Sequence, residues 1–254
     1  MVGPVLAADG SVTTVRLYVE HALGAGQTVP LTRAQAHYLF SVMRLRRGAG
    51  LTLFNGQDGA WRAEVTETGR AAGTLACVEM VAPQGQPPDL WLLFAPIKKA
   101  RTDFIVEKAT EMGVRRILPV RTDHTNAERL RRDRLQAHAI EAAEQCGGTF
   151  VPEVCDLVPL PDLLASWDPA RHLMVCDEAR AGAQDALPHH TAGTAPAPWA
   201  VLIGPEGGFS SAERARLTQM QGAHPVALGP RVLRADTAAV AALTLWQITL
   251  GDWR

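Results

Sequence analysis

The arrangement of apolar and polar positions changes character about a third of the way along the chain. Between residues 14 and 82, short segments alternate: Thr14-Val-Arg-Leu-Tyr-Val, Gly50-Leu-Thr-Leu-Phe, Trp61-Arg-Ala-Glu-Val and Gly73-Thr-Leu-Ala-Cys-Val-Glu-Met. A period of two sends one set of side chains to a core and the other to water, the mark of a half-buried strand. Asn55-Gly56 ends the second segment as a turn signal, and one short helix, about Thr32 to Leu45, interrupts the strands. This half predicts a small β-barrel domain over residues 1–82.

The stretch Val81-Ala-Pro-Gln-Gly-Gln-Pro-Pro-Asp89 has no apolar period and reads as a linker. Beyond it the apolar runs become continuous: Leu90 to Ala95, Ile117 to Val120, His172 to Cys176, Trp199 to Gly204 and His224 to Gly229. Helical segments separate them, about Arg101 to Met112, Asn126 to Cys146 (stopped by Gly147-Gly148), a short helix after Gly208, and a final helix. Strands without alternation are buried on both faces, so residues 89–254 predict an α/β domain, a parallel sheet covered by helices. Pro188 to Pro198 reads as a polar surface loop, and no internal repeat is visible.

Composition narrows the function classes. The chain has 254 residues, 47% apolar and 20% charged, enough for a substantial core. The net charge of −1 excludes a global basic field, so any site for a polyanion must be local. Such a patch exists between Lys98 and Arg134, where eleven basic residues face six acidic ones, and Arg44, Arg46 and Arg47 form a second group. Both stretches also read as solvated faces with helical ion pairs. Cys77, Cys146, Cys155 and Cys176 have neither disulfide nor metal spacing, and the N-terminus shows no secretory pattern. A reduced, cytoplasmic setting is expected. The longest apolar stretch, Ala235 to Leu250, is broken by Asp236, Thr237 and Gln247, so it reads as a buried helix and no membrane span is expected.

Candidate chemistry gathers where three buried strands run into small or polar loops: Cys176-Asp177-Glu178, Gly204-Pro-Glu-Gly-Gly208, and Gly229-Pro-Arg-Val-Leu-Arg234. Ligands of open α/β sheets bind beyond the carboxyl ends of the strands, so these loops would share one pocket if their strands are neighbours. The second loop is followed by Ser210-Ser-Ala-Glu213, a capping box. It is neither a Walker loop nor the dinucleotide fingerprint. Glu206 has no amphipathic reason to sit between glycines: it is either functional or the solvated side chain of a tight turn. Arg234 either holds an anion or a developing oxyanion, or braces the loop against a nearby carboxylate. The alanines of the last helix suit close packing, in the core or at a subunit interface. The eight histidines form no triad or metal set, and no G-x-S-x-G elbow is present.

Several motifs occur in order: His37-Tyr-Leu-x-x-Val-Met-Arg44-Leu, Lys108-Ala-Thr-Glu111-Met-Gly113-Val, Glu144-Gln-Cys-Gly-x-x-x-Val-Pro152-Glu, Ile203-Gly-Pro-Glu-Gly-Gly208 and Leu228-Gly-Pro-Arg-Val-Leu-Arg234-x-x-Thr237. Together they resemble the bacterial 16S ribosomal RNA uracil-N3 methyltransferase family of the SPOUT superfamily, over about residues 15 to 250. The resemblance implies a PUA-like β-barrel that helps bind RNA, ahead of a SPOUT methyltransferase domain with a deep trefoil knot. It implies S-adenosylmethionine as methyl donor, no metal, a homodimer, and the small ribosomal subunit with its 16S RNA as partner. The donor would rest on Val175 and Cys176, on Ile203, Gly204 and Gly208, and on Leu228, Gly229, Val232 and Leu233. Arg234 and Glu206 are then the catalytic candidates, the first as cation, the second as base or polar ligand. Arg44, Arg46, Arg101 and Arg121 are the RNA-binding candidates.

Two positions depart from the family pattern. Thr122-Asp-His124-Thr125 stands where the family usually has Thr-x-Arg-Ser, and Gly148 stands where it usually has Arg. These departures keep two other readings open: an RNA-binding or ribosome-assembly factor of the same fold without turnover, and a methyltransferase acting on another RNA.

Overall fold

The computed structural model describes residues 15–69, 71–126, 129–183, 187 and 197–253, and the backbone of two short strands at 5–6 and 12–13. Thr14 and most of the expected loop from Pro188 to Pro198, His189 and His190 included, lie outside the described residues. The chain divides into two units, residues 1–86 with 143–151, and 87–142 with 152–254.

The first unit contains β1 (Val5–Leu6), β2 (Val12–Thr13), β3 (Arg16–Tyr18), β4 (Thr28–Pro30), α1 (Arg33–His37), β5 (Gly50–Phe54), β6 (Ala60–Thr68) and β7 (Gly73–Ala82). β1 and β2 pair with each other, and the other five strands form one sheet in the order β3-β5-β6-β7-β4. Leu17 of β3 and Val29 of β4, at opposite ends of that order, share a single core with Leu53, Val65 and Leu75. A flat sheet cannot bring its two ends to one core, so the sheet curls around it. The expected helix from Thr32 to Leu45 is shorter. The Thr32–Gln35 capping box opens α1, a π-helical turn follows at Tyr38–Val42, and Arg44 then takes a left-handed φ of 58°.

The sheet's other face explains why residues 143–151, which the sequence groups with the second domain, pack in this unit. Phe54, Ala60 and Ala143 form an apolar cluster with Tyr18, Ala82 and Val151 around it. The Tyr18 amide donates to Glu144 Oε1 at 2.8 Å, and Arg16 donates to the Gly148 carbonyl at 2.7 Å.

The second unit contains β8 (Leu90–Phe94), α2 (Lys99–Glu111), β9 (Arg116–Arg121), α3 (Arg132–Cys146, its first turns), β10 (Glu153–Val154), β11 (Val158–Pro159), α4 (Leu160–Ala165), β12 (His172–Cys176), β13 (Trp199–Ile203), α5 (Ser211–Gln219), β14 (Ala223–Pro225) and α6 (Ala235–Thr249). The sheet order is β10-β9-β8-β13-β12-β14, with β11 also on β9, and every pairing is parallel. The residues of β13 are buried throughout, the burial on both faces that its unbroken apolar run requires. β13 pairs residue for residue with β12 and with β8, so Cys176, Ile203 and Phe94 end level with one another. The short strands β10 and β11 and helix α4 had no signal of their own in the sequence. No helix among the described residues is long and apolar enough to cross a membrane.

Candidate functional site

β12 lies between β13 and β14, so the three loops singled out in the sequence leave adjacent strand ends. They enclose a hollow of about 240 Å³. Cys176 and Glu178 come from the loop after β12, Ile203, Gly204 and Glu206 from the loop after β13, and Leu228, Gly229 and Arg231 to Arg234 from the loop after β14. The first turn of α6 closes it with Ala235 and Ala238.

Each loop is held by identifiable groups. The Asp177 carboxylate accepts from Arg214 Nε and Nη2 at 2.7 and 3.0 Å, and Glu178 accepts from Nη2 at 3.1 Å. This charge-assisted fork ties the loop after β12 to α5, and the bond to Asp177 is the main reason the Arg214 guanidinium is pushed above its ordinary pKa. Burial drives the Cys176 thiol up to about 12, so it stays protonated and serves as an apolar wall, not a nucleophile.

In the second loop, a Cβ on Gly204 would stand 3.0 Å from Cε2 of the buried Phe209 ring. Gly208, at φ +67°, faces the Glu178 carboxylate so closely that a Cβ would overlap it. Packing therefore requires both glycines, against Phe209 of the same loop at Gly204 and against the loop after β12 at Gly208. The expected capping box is present: Ser210 Oγ accepts from the Glu213 amide and Glu213 Oε2 accepts from the Ser210 amide at 2.8 Å. Glu213 Oε1 also accepts from the Asp123 amide at 2.9 Å, which ties the loop after β9 to the start of α5.

The two alternatives for Arg234 separate here. The bracing cation is Arg101 of α2, whose guanidinium lies 3.5 Å from Glu206 and 3.7 Å from Asp236. Arg234 caps α6 at the edge of the hollow, is exposed, and has no ion pair among the described residues. Glu206, half exposed, is shared between the hollow and Arg101.

The structure thus brings together Cys176, Ile203, Gly204, Glu206, Leu228, Gly229, Val232, Leu233 and Arg234. It does not place Val175 or Gly208 on the wall. The Val175 side chain belongs to the core behind β12, because neighbouring residues of a strand point to opposite faces. Arg101 is engaged behind Glu206 and does not present a free cation. Arg121 is exposed at the end of β9, and Arg44 and Arg46 are exposed in the first unit. Sequence reasoning missed Arg214, whose only signal was its place one residue after a capping box, and left Ala235 and Ala238 undecided between core and interface.

Comparisons with known proteins find matches along most of the chain. Residues 84–247 match the family model described as RNA methyltransferase domain, and residues 31–72 match the RNA methyltransferase PUA domain. The ribosomal RNA small subunit methyltransferase E of Synechocystis is 32% identical over 219 residues, 85% of this chain and 71% of that one. The structure of the protein of that name from Neisseria gonorrhoeae, bound to S-adenosyl methionine, superimposes with a TM-score of 0.84 at 26% identity, covering 94% of this chain and 99% of the other. A putative methyltransferase of Legionella pneumophila, in complex with the same cofactor, gives 0.79 at 28% identity over 92% and 97%.

Proposed function

This chain belongs to the RNA methyltransferase family in which a PUA domain precedes the methyltransferase domain, and from that premise we propose that it methylates N3 of a uridine in the 16S RNA of the small ribosomal subunit, using S-adenosylmethionine. The observation that carries this reading is the convergence of three strand ends and the start of α6 on one hollow of about 240 Å³. Its apolar walls, Ile203, Leu228 and Leu233, suit an adenine ring, and the carboxylates of Glu178 and Glu206 at its rim suit a positively charged donor.

The donor supplies a methyl group already activated by a sulfonium, which leaves as a neutral thioether. The protein's work is on the acceptor. Uracil N3 carries a proton that must leave before the nitrogen pair can bond to the methyl carbon. Glu206 takes that proton, and Arg234 stabilises the negative charge that spreads to the ring oxygens. Arg101 keeps Glu206 in place. Arg44, Arg46 and Arg121 contact phosphates, which lets a chain of net charge −1 bind RNA locally. The enzyme works in the cytoplasm as a homodimer. Val232, 69% exposed at the mouth of the hollow, and the exposed Ile248 on α6 are the apolar surface that a second copy would cover.

Calorimetry with S-adenosylmethionine, followed by mass spectrometry of nucleosides from unmethylated small subunits incubated with protein and donor, tests the reading. Micromolar or tighter donor binding and appearance of 3-methyluridine are expected. Donor binding without a methylated uridine would instead identify a binding factor that has lost turnover.

A further inference from the structure

A second hollow, of about 250 Å³, opens beside the first. Its walls are Pro96 and Lys98 after β8, His124 and Asn126 after β9, and Pro205 and Glu206 after β13. Pro205 and Glu206 are the residues that line both hollows. Its place in the topology is distinctive. From β8 the chain moves to β9 on one side of the sheet, whereas from β13 it moves past β12 to β14 on the other. Where neighbouring parallel strands connect in opposite directions, a crevice is left beyond their carboxyl ends.

The loop that the two hollows share is held in place by named contacts. His124 Nδ1 lies 3.0 Å from the Gly207 carbonyl and 3.0 Å from the Gly208 carbonyl. Carbonyls only accept, so Nδ1 carries the proton and donates it. A Cβ on Gly207 would press on His124 Cβ at 3.3 Å, so the glycine is what lets the ring close on the loop. Ser210 Oγ donates to Asp123 Oδ2 at 2.6 Å, a second tie between the same two loops.

We propose that this second hollow is the acceptor subsite, taking the unstacked uracil ring, with Lys98 and Asn126 on the ring's polar edge and His124 as a positioning residue for the shared loop. The inference rests on the methyltransferase reading. Methyl transfer is an in-line displacement, so the attacking nitrogen must stand on the far side of the methyl group from sulfur. Donor and acceptor therefore need adjoining sites that open onto one another, and Pro205 and Glu206, which line both hollows, mark where these two meet. The methylated edge of uracil is an N–H between two carbonyls. Asn126 offers both a donor and an acceptor to such an edge, and the Lys98 ammonium stabilises the charge that the ring oxygens gain when the proton passes to Glu206. The atoms balance: N3 exchanges its proton for the methyl carbon, and the carbon–sulfur pair remains on sulfur.

The experiment uses the full chain and the variants Lys98→Met, Asn126→Ala, His124→Asn and His124→Ala. Donor affinity is measured by calorimetry, and methyl transfer to unmethylated small subunits by single-turnover kinetics. Lys98→Met and Asn126→Ala are expected to slow transfer at least tenfold while donor Kd stays within twofold. His124→Asn, whose amide can donate to the same carbonyls, should keep more activity than His124→Ala, and the loss in His124→Ala should fall on transfer more than on donor binding. Wild-type transfer rates and RNA KM in both Lys98→Met and Asn126→Ala would overturn the subsite and leave the methyltransferase reading intact. Failure of the wild-type protein to bind donor or to methylate the subunits would overturn that reading itself, and the subsite with it.

Discussion

Gly204 is the position where the packing of the hollow proposed for the donor can be perturbed with the least ambiguity. A Cβ there would lie 3.0 Å from Cε2, 3.1 Å from Cζ and 3.4 Å from Cδ2 of Phe209. Phe209 is 1% exposed and packs among Leu93, Val175, Leu202 and Leu217, so the ring cannot swing away freely. Valine adds two further carbons on that Cβ. Overpacking of this kind costs about 1–3 kcal/mol. The strain has two outlets. If the loop stays in place, the folded state is destabilised. If the loop shifts, the Ile203–Glu206 side of the hollow moves, and restoring it on binding raises the donor Kd by about 5- to 150-fold for the same energy. Gly204→Val is expected to do mainly the second, because the loop is more mobile in principle than the core behind it. Calorimetry with S-adenosylmethionine and thermal denaturation separate the outlets. The double variant Gly204→Val with Phe209→Leu, which removes the outer ring atoms, should recover part of the lost affinity beyond the sum of the single effects. An unchanged Kd in Gly204→Val together with an unchanged melting temperature would refute the reasoning, since the steric conflict would then have no consequence.

Arg234→Ala should lower turnover by about 10²–10³-fold with a much smaller effect on donor affinity, measured by single-turnover transfer and calorimetry; equal losses would assign Arg234 to the donor. Arg214→Met removes three charge-assisted hydrogen bonds to Asp177 and Glu178. It is expected to cost about 1–3 kcal/mol in chemical denaturation and to weaken donor binding, and donor affinity unchanged would show that the loop after β12 holds its place without the clamp. His224 gives a pH prediction: burial, then the charge of His172 3.0 Å away, hold its imidazole below the ordinary 6.5. The unfolded chain therefore binds the extra proton first, so the contribution of His224 is fully present above about pH 6.5 and is lost as pH drops through its folded pKa. Melting temperatures from pH 7.5 to 5 (about the range in which histidine titrates) should fall more steeply for the wild type than for His224→Gln, and parallel curves would contradict it.

The local grammar of the chain determined its elements wherever one neighbour-to-neighbour rule decides the outcome. His172–Cys176 and Trp199–Ile203 were legible because a strand covered on both faces must be apolar at every residue, and the Ser210 cap was legible because its partner is three residues away. The three loops that build the first hollow could be named for the same reason: each is the polar end of such a strand. What the tertiary structure decided is everything that depends on residues far apart in sequence. The order β8-β13-β12-β14 makes the three loops neighbours and opens the second hollow where the connections diverge. Arg101 reaches Glu206 across 105 positions and takes the bracing role that the sequence left open for Arg234. Residues 143–151 cover the outer face of a sheet whose strands precede them by some sixty positions or more. Such contacts are chosen by which faces remain uncovered once the elements have formed, and that is a property of the assembled sheet rather than of any stretch of chain.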